Sequence, residues 1–264
     1  MVPVHWKSKF REIIMYKNEI VCGDSLKILQ TFPDECIDMV VTSPPYNFGI
    51  EYDIYKDKHS QENYYKFLFP ILKECIRVLK NGGRMAINIQ PLFSEYVPVH
   101  HDITNYLRGE GLLWKGEILW DKSHYNCKSC AFGSWKSPAM PYLKYTWEFV
   151  EVFCKGTYKK TGNREDIDIT RDEFVEWVKA KWDIKPESRM KEIGHPAMFP
   201  EELVERLLKL FTYKGDVVLD PFNGAGTTTL VARNLERNFI GIDISPKYCE
   251  IARRRLENFQ GRLF

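Results

Sequence analysis

Short apolar runs alternate with amphipathic segments along the first half of the chain. The runs have the length and the β-branched content of buried strands, and they comprise residues 19–22, 37–41, 85–89 and 116–120. Between them, apolar residues recur at helical spacing over 62–80 and 97–107. We expect Pro70 to kink or restart the first helix and Asn81-Gly82-Gly83 to end it. Strands and helices in this succession predict a mostly parallel sheet with helices on both faces.

A second group of elements follows a less regular stretch. Pro200 suits the first turn of a helix, another helix is predicted over 230–235, and Ser245-Pro246 is predicted to cap the last one. Further strands are predicted at 147–154, 216–219 and 239–242. We therefore divide one large domain into a first half at 1–120, an inserted region at 121–191 that contains a core strand near 147–154, and a second half at 192–264.

Composition and charge narrow the class of protein without identifying a function. The chain has 264 residues, of which 44% are hydrophobic, enough for the core of one large α/β domain. Its net charge is only +2, so any nucleic-acid surface must be local. The seven cysteines are odd in number and lie mostly in apolar stretches, and the sequence has neither a signal-peptide pattern nor an apolar run of membrane-spanning length. We expect a reduced, soluble, cytoplasmic protein.

The strand at 37–41 runs into Thr42-Ser43-Pro44-Pro45-Tyr46-Asn47, the first candidate for chemistry. Two successive prolines lack N–H donors, so the strand must stop and leave its last carbonyl groups without sheet partners. The Ser43 hydroxyl, these carbonyl groups and the Tyr46 ring then offer acceptors for an amino group beside a flat face for a planar ring. This suits a nucleobase with an exocyclic amine, although the motif alone favours a loop in which the prolines end the strand and Tyr46 only packs. The polar, aromatic segment at 49–60 is typical of a mobile loop beside a site.

A glycine-containing turn after the strand at 216–219 is the second candidate. Its sequence is Asp220-Pro221-Phe222-Asn223-Gly224-Ala225-Gly226-Thr227-Thr228-Thr229, and glycines let the backbone approach a ligand closely. Asp243 and Asp24 each follow a strand, at the sheet edge where α/β proteins bind ligands. Asp24 also suits a solvated turn, with Ser25 predicted to cap the helix behind it.

The same turn limits the choice of cofactor. A dinucleotide fingerprint would need a third glycine near Thr229, and a phosphate loop would need a lysine after Gly226; the sequence has neither. An adenosine cofactor without phosphates fits better, namely S-adenosylmethionine, whose amino acid end can use the Gly224 and Gly226 backbone and the Thr227 or Thr228 hydroxyl. A nicotinamide oxidoreductase that uses this turn is the alternative from another class. His195 either touches the cofactor or hydrogen-bonds within its own turn.

Cations and aromatic rings interleave in the inserted region. They are Lys122, Lys128, Trp135, Lys136, Tyr142, Lys144, Tyr145 and Trp147. Such interleaving can follow DNA phosphates and stack on bases, and rings that pack on one another in a surface insertion are an equal alternative. Cys127 and Cys130 have the spacing of half a zinc site, but the sequence has no second Cys or His pair at a suitable distance. We therefore predict no metal.

Together these segments resemble the amino-methylating DNA methyltransferases of the class in which the catalytic motif precedes the cofactor motif. Residues 42–47 are similar to the catalytic motif, 220–228 to the S-adenosylmethionine loop, 239–243 to the acidic strand after it, and 194–203 to the segment before it. Gly133-Ser134-Trp135-Lys136-Ser137-Pro138 and residues 147–156 resemble the region leading to target recognition in cytosine-N4 members. The resemblance covers nearly the whole chain. It implies a Rossmann-like S-adenosylmethionine-dependent methyltransferase fold with a circularly permuted motif order and an inserted target-recognition region.

The resemblance also implies residue roles. Ser43 and the Pro44 carbonyl would accept the two hydrogens of the exocyclic amine, and Tyr46 would stack on a base extruded from the duplex. Asp24 would contact the adenine of the cofactor and Asp243 its ribose. The expected catalytic set is Ser43, Pro44, Pro45 and Tyr46, and the expected cofactor set is Asp24, Asp220, Phe222, Gly224, Gly226, Thr227, Thr228, Asp243 and His195.

Ser43 favours cytosine as the target base. Cytosine-N4 members usually carry serine at the first catalytic position, where adenine-N6 members usually carry aspartate or asparagine. We expect transfer to N4 of cytosine in double-stranded DNA, with N6 of adenine as the alternative. A non-catalytic DNA-binding relative is a further alternative, disfavoured by the intact Ser43, Tyr46, Gly224, Gly226 and Asp243. The sequence leaves open the recognition sequence, a cognate restriction endonuclease as partner, and the choice between monomer and homodimer.

Overall fold

An eight-stranded sheet forms the centre of the protein. The computed structural model describes residues 16–92, 95–122, 133–143 and 145–258, and all elements given below lie within them. The strands are β1 (Glu19–Cys22), β2 (Ile37–Thr42), β3 (Leu79–Ile89), β4 (Leu113–Asp121), β5 (Trp147–Cys154), β6 (Lys181–Asp183), β7 (Val217–Asp220) and β8 (Asn238–Asp243). Each overlaps a strand predicted from the sequence, except β6 in the inserted region.

The order of strands across the sheet is β1-β8-β7-β2-β3-β5-β4-β6. Neighbouring strands from β1 to β3 are parallel, as are β4 and β6, so the expected mostly parallel sheet is confirmed. The simple succession from β3 to a parallel β4 is wrong, because β5 lies between them and is antiparallel to both. Antiparallel neighbours need no crossover helix, and none separates β4 from β5 in the described part of the chain.

Helices cover the sheet on both faces. They are α1 (Ser25–Leu29), α2 (Gln61–Val78), α3 (Val99–Gly109), α4 (Arg171–Trp177), α5 (Met190–Ile193), α6 (Glu201–Phe211), α7 (Thr227–Asn234) and α8 (Pro246–Glu257). The helix α2 continues through Pro70 without a restart. It ends before the predicted Asn81-Gly82-Gly83 stop because β3 already begins at Leu79. Within the described ranges, no helix is both long and apolar enough to cross a bilayer.

Capping residues explain where two of the helices begin. The Ser245 hydroxyl accepts from the Tyr248 N–H and Pro246 is the first helical residue, which confirms the predicted start of α8. At α1 the predicted cap was wrong. Asp24, not Ser25, accepts from the first free N–H groups of the helix, because a carboxylate in extended backbone reaches them directly. The Ser25 hydroxyl instead donates to the Pro221 carbonyl at 2.5 Å.

Two hydrophobic cores lie on opposite faces of the sheet. On one face, α2 and α3 pack over residues that include Val40 and Met85. On the other face, α6, α7 and α8 pack over Met39, Val41 and Val152. Successive residues of β2 thus enter different cores, which is why this strand is apolar on both sides.

Parallel pairing brings the carboxyl ends of β1, β8, β7 and β2 to one edge of the sheet. Val40 pairs with Leu219, so the turns after Thr42 and Asp220 leave the sheet side by side. The end of β1 lies beside the end of β8 in the same way. The two candidate turns therefore follow neighbouring strands.

Candidate active site

Asp220, the last residue of β7, joins the two candidate turns. Its Oδ1 accepts from Thr42 Oγ1 at 2.7 Å and from the Phe222 N–H at 3.0 Å, and its Oδ2 accepts from Thr228 Oγ1 at 2.7 Å. The side chain is buried, and burial raises the pKa of its carboxyl group to about 6 despite these donors. Asp220 therefore fixes the turn after β2 to the turn after β7.

The turn after β7 is shaped by two glycines and by the carboxylate at the end of β8. Gly224 and Gly226 have φ values of 50° and 81°, and a Cβ on Gly224 would lie 2.7 Å from His195 Nε2. Asp243 Oδ2 accepts from the Gly224 N–H and Oδ1 from the Ser245 N–H, both at 2.8 Å. Burial raises the pKa of the Asp243 carboxyl group. Each of its oxygens keeps capacity for a further hydrogen bond, so the turn can still bind a ligand through this carboxylate.

A cavity of about 490 Å³ opens where these turns meet. This volume is typical of small-molecule sites. Most residues predicted for the site line it: Asp24, Ser43, Pro44, Pro45, Tyr46, His195, Asp220, Phe222, Gly224, Thr227 and Asp243. Two predicted residues do not. Gly226 is the N-cap of α7, and Thr228 is fully buried against Asp220.

His195 lines the cavity beside Gly224. Its Nδ1 accepts from the Ala197 N–H at 3.3 Å, which confirms the hydrogen bond within its own turn, and the ring also lines the cavity. Burial lowers the pKa of the imidazole to about 4, which keeps the ring neutral. A neutral ring that accepts at Nδ1 carries its proton on Nε2, the atom nearest Gly224.

The turn after β2 is anchored against α2. Tyr64 Oη donates to the Pro45 carbonyl at 2.8 Å, so one of the two lone pairs of this carbonyl oxygen is already used. Ser43 and Pro44 line the cavity. The Tyr46 ring lies edge to face with the Phe48 ring, with 5.8 Å between centroids. Pro45 thus holds the turn in place while its neighbours border the cavity.

A buried polar network that the sequence analysis missed lies beside Tyr46. Tyr46 Oη donates to Glu148 Oε2 at 2.8 Å and accepts from Ser43 Oγ at 2.9 Å and from Asn88 Nδ2 at 2.7 Å. Lys122 bonds the other Glu148 oxygen, and both side chains of this ion pair are buried. Burial, aided by the Glu148 carboxylate, raises the pKa of Tyr46 well above its usual range. The expectation that Lys122 follows phosphates is wrong, because a buried carboxylate needs its charge.

The segment at 49–60 covers one side of the cavity, as expected for a loop beside a site. The Asp57 carboxylate organises it by accepting from three backbone N–H groups near its start. Ser245 Oγ donates to Asp53 Oδ2 at 2.6 Å, which fastens the segment to the turn after β8. Tyr52 lines the cavity, and its ring centroid lies 5.9 Å from that of His195. Only the aromatic content of this segment hinted at such a role.

Aromatic rings of the inserted region are partly exposed and partly packed on one another. Trp135 is 69% exposed, and Lys136 Nζ lies 5.6 Å from its ring centroid. Tyr145 and Trp147 instead pack edge to face on each other. Among the residues that the structure describes, no cluster of His, Cys, Asp or Glu could hold a metal ion. The candidate residues Cys127, Lys128, Cys130 and Lys144 lie outside the described residues.

Comparison with known proteins gives this fold and cavity a family. Residues 37–254 match the N6/N4 DNA methylase family. The Type II methyltransferase M.BglII of Bacillus subtilis is 28% identical over 263 residues, which cover 95% of this chain and 71% of that protein. The DNA adenine methyltransferase YhdJ of Escherichia coli K12 is 32% identical over 253 residues, 90% and 82% of the two chains. The structure of TTHA0409 from Thermus thermophilus, complexed with S-adenosyl-L-methionine, matches with a TM-score of 0.70 and 28% identity, covering 91% of this chain and 95% of that one.

The chain belongs to the N6/N4 DNA methylase family, and its fold is the Rossmann-like fold of S-adenosylmethionine-dependent methyltransferases. The expected cofactor, S-adenosylmethionine, is confirmed, and the nicotinamide alternative is set aside. The cavity fits this cofactor on the evidence of its own residues. The cavity has a suitable volume, and the Asp24 and Asp243 carboxylates lie at the ends of neighbouring strands. It also contains Gly224, a position where a side chain would clash with His195.

Proposed function

We propose that this protein transfers a methyl group from S-adenosylmethionine to N4 of cytosine, on a base extruded from double-stranded DNA. One observation carries the proposal: the turn that holds Ser43 and the turn that holds Gly224 border one cavity and are joined through Asp220. Acceptors for an amine and a site for the methyl donor are therefore close together. An exocyclic amine reaches such a cavity only after its base leaves the stack.

Ser43 Oγ and the Pro44 carbonyl are the proposed acceptors for the two amine hydrogens. The lone pair of the amine is delocalised into the ring, and two acceptors favour the pyramidal form in which it is concentrated on nitrogen. S-adenosylmethionine supplies an already activated methyl group, so the protein needs only to position the reactants and to stabilise the charges of the transition state. We assign the Tyr46 ring as the stacking face for the base, with Pro45 as the anchor of the turn.

On the cofactor side we assign the carboxylate of Asp24 to the adenine and that of Asp243 to the ribose. The backbone of Gly224 and the hydroxyl of Thr227 are assigned to the amino acid end. The other predicted residues act as supports: Phe222 and His195 as walls of the cavity, and Asp220, Gly226 and Thr228 beneath the turn.

The target base is assigned from Ser43, the residue type usual at this position in cytosine-N4 members. One comparison favours a second candidate, because YhdJ, at 32% identity, is a DNA adenine methyltransferase. Mass spectrometry of nucleosides from DNA treated with the protein and S-adenosylmethionine separates the two. We expect N4-methylcytosine; N6-methyladenine as the sole product would reject the assignment to cytosine.

The inserted region at 121–191 is proposed to recognise the DNA sequence, with the exposed Trp135 and Lys136 as one contact. Similarity to the Type II methyltransferase M.BglII supports pairing with a cognate restriction endonuclease. Sequencing of methylated bases after expression in an unmethylated host identifies the site. Cleavage of that site in methylated DNA by the proposed endonuclease would contradict the pairing.

A further inference from the structure

A chain of hydrogen bonds leads from Ser43 to a buried ion pair. Ser43 Oγ lies 2.9 Å from Tyr46 Oη, which lies 2.8 Å from Glu148 Oε2. Lys122 contacts Glu148 Oε1, and Glu148 and Lys122 are 7% and 8% exposed. The proposed function uses Ser43 and the Tyr46 ring but gives no role to the ion pair.

The ion pair sets the direction of every hydrogen bond in this chain. A carboxylate only accepts, so the Tyr46 hydroxyl must donate its single hydrogen to Glu148. The Tyr46 oxygen can then only accept, and Ser43 must donate to it. With its hydrogen committed in this way, Ser43 Oγ presents lone pairs to any other partner.

Asn88 occupies the remaining hydrogen-bonding position of the Tyr46 hydroxyl group. Its Nδ2 donates to Tyr46 Oη at 2.7 Å and to Glu148 Oε2 at 2.6 Å. The Tyr46 oxygen thus accepts two hydrogen bonds and donates one, which is its full capacity. Its hydroxyl hydrogen therefore has no second position, and the network is fixed in one arrangement.

We propose that Glu148 is a positioning residue that holds Ser43 as a hydrogen-bond acceptor, so that the site selects a base with an amino group over one with a carbonyl group at the same place. The inference rests on the proposed function, in which the target amine meets Ser43. It assigns the choice of functional group on the base to an ion pair two hydrogen bonds away.

Replacement Glu148→Gln reverses the chain. Lys122 donates, so the amide oxygen of the new side chain turns toward Lys122 and its NH₂ group faces Tyr46. Asn88 Nδ2, which donates to the same carboxylate oxygen in the wild type, must rotate away from this NH₂ group. Tyr46 then accepts from the new side chain and donates to Ser43, and the Ser43 hydrogen is free to point at the base. A carbonyl group then becomes acceptable where an amino group was preferred.

The test compares two duplexes that contain the methylation site found by sequencing. One carries the natural target base and the other its carbonyl counterpart, uracil for cytosine or hypoxanthine for adenine, and 2-aminopurine beside the target reports extrusion. We measure the dissociation constant and the fluorescence rise for each. For Glu148→Gln we expect the preference for the amino base to fall about tenfold relative to the wild type, the equivalent of one hydrogen bond. The carbonyl base also mispairs in the duplex, but this effect cancels when the variant is compared with the wild type, because both proteins bind the same two duplexes.

Two further variants make the outcome decisive. Tyr46→Phe removes the hydroxyl group that connects Ser43 to Glu148, so it too should reduce the preference for the amino base. Adding Glu148→Gln to Tyr46→Phe should not change this preference further. Glu151→Gln is the matched control, since Glu151 is a buried carboxylate on the same strand whose partner is Trp114; it should keep the wild-type preference. An unchanged preference in Glu148→Gln, or in Tyr46→Phe if the first variant does not fold, overturns the inference. Methylation by the wild-type protein tests the proposed function separately.

Discussion

Two buried carboxylates lie beside the cavity, and the protein compensates them differently. Asp220 accepts from Thr42, Thr228 and a backbone N–H, all neutral donors. Glu148 is paired with the Lys122 ammonium. Hydroxyl groups both donate and accept, so the contacts of Asp220 can survive its protonation, whereas the acceptor chain that ends at Glu148 needs a carboxylate. The side proposed for the cofactor is therefore held by neutral donors, and the side proposed for the base depends on charge.

The largest expected effect is on the proposed base side. We expect Ser43→Ala to lower the single-turnover methylation rate by about 10²-fold or more, because a positioned acceptor is lost at the reacting amine. Binding of S-adenosylmethionine, measured by calorimetry, should stay the same. Ser60→Ala is the control: it removes the cap of α2 and lowers stability without touching the cavity. A rate for Ser43→Ala within a few-fold of the control would refute the role of Ser43.

Asp220 should give stability a distinct dependence on pH. Burial raises its pKa from 3.8 to about 6, so between these values the folded protein holds a proton that the unfolded chain has lost. This contribution is present at low pH and is lost as pH rises through the window, by up to about 3 kcal/mol. Asp220→Asn cannot titrate. Urea denaturation from pH 4 to 7 measures the free energy of unfolding of both proteins. The wild type should lose stability relative to Asp220→Asn as pH rises. A difference that stays constant with pH would contradict the raised pKa of Asp220.

The shape of the cofactor turn can be tested at Gly224. Gly224→Ala combines a strained φ of 50° with a Cβ 2.7 Å from His195, and we expect it to weaken binding of S-adenosylmethionine by about tenfold. Gly215→Ala is the matched control, since its φ is 81° but its Cβ would meet open space. Calorimetry measures the affinity of both variants, and Gly215→Ala should bind like the wild type because Gly215 does not line the cavity. Equal affinities would show that the turn tolerates a side chain.

The smallest effect concerns two lysines that look alike in the sequence. Lys136→Ala should reduce the slope of log affinity for DNA against log salt concentration by about 0.9, the value for one lost phosphate contact. Lys122→Met should leave that slope unchanged, because Lys122 is buried against Glu148. Filter binding or anisotropy at several salt concentrations measures both. A change of slope in Lys122→Met alone would reverse our assignment of the two residues.

The sequence predicted the parts of the site whose signals are local. Consecutive prolines end β2 and a glycine turn follows β7, and both signals lie within a few residues of the place they describe. The Glu148 network carries no such signal. Tyr46 and Glu148 are 102 residues apart, and Glu148 lies inside an apolar strand in which the sequence singled out no residue of the site. Its role depends on the insertion of β5 beside β3, which sheet assembly decides and no local pattern encodes.

The strand order has a consequence for how the chain folds during synthesis. Strands β8 and β7 lie between β1 and β2, although they come from residues 217–243. When β1 and β2 leave the ribosome, the strands that will separate them do not yet exist, and the apolar β2 has an unpaired edge. The hydrogen bond from Thr42 to Asp220 spans 178 residues and can form only late. The nascent chain must therefore protect β2 from premature partners until about the last fifth of the sequence arrives.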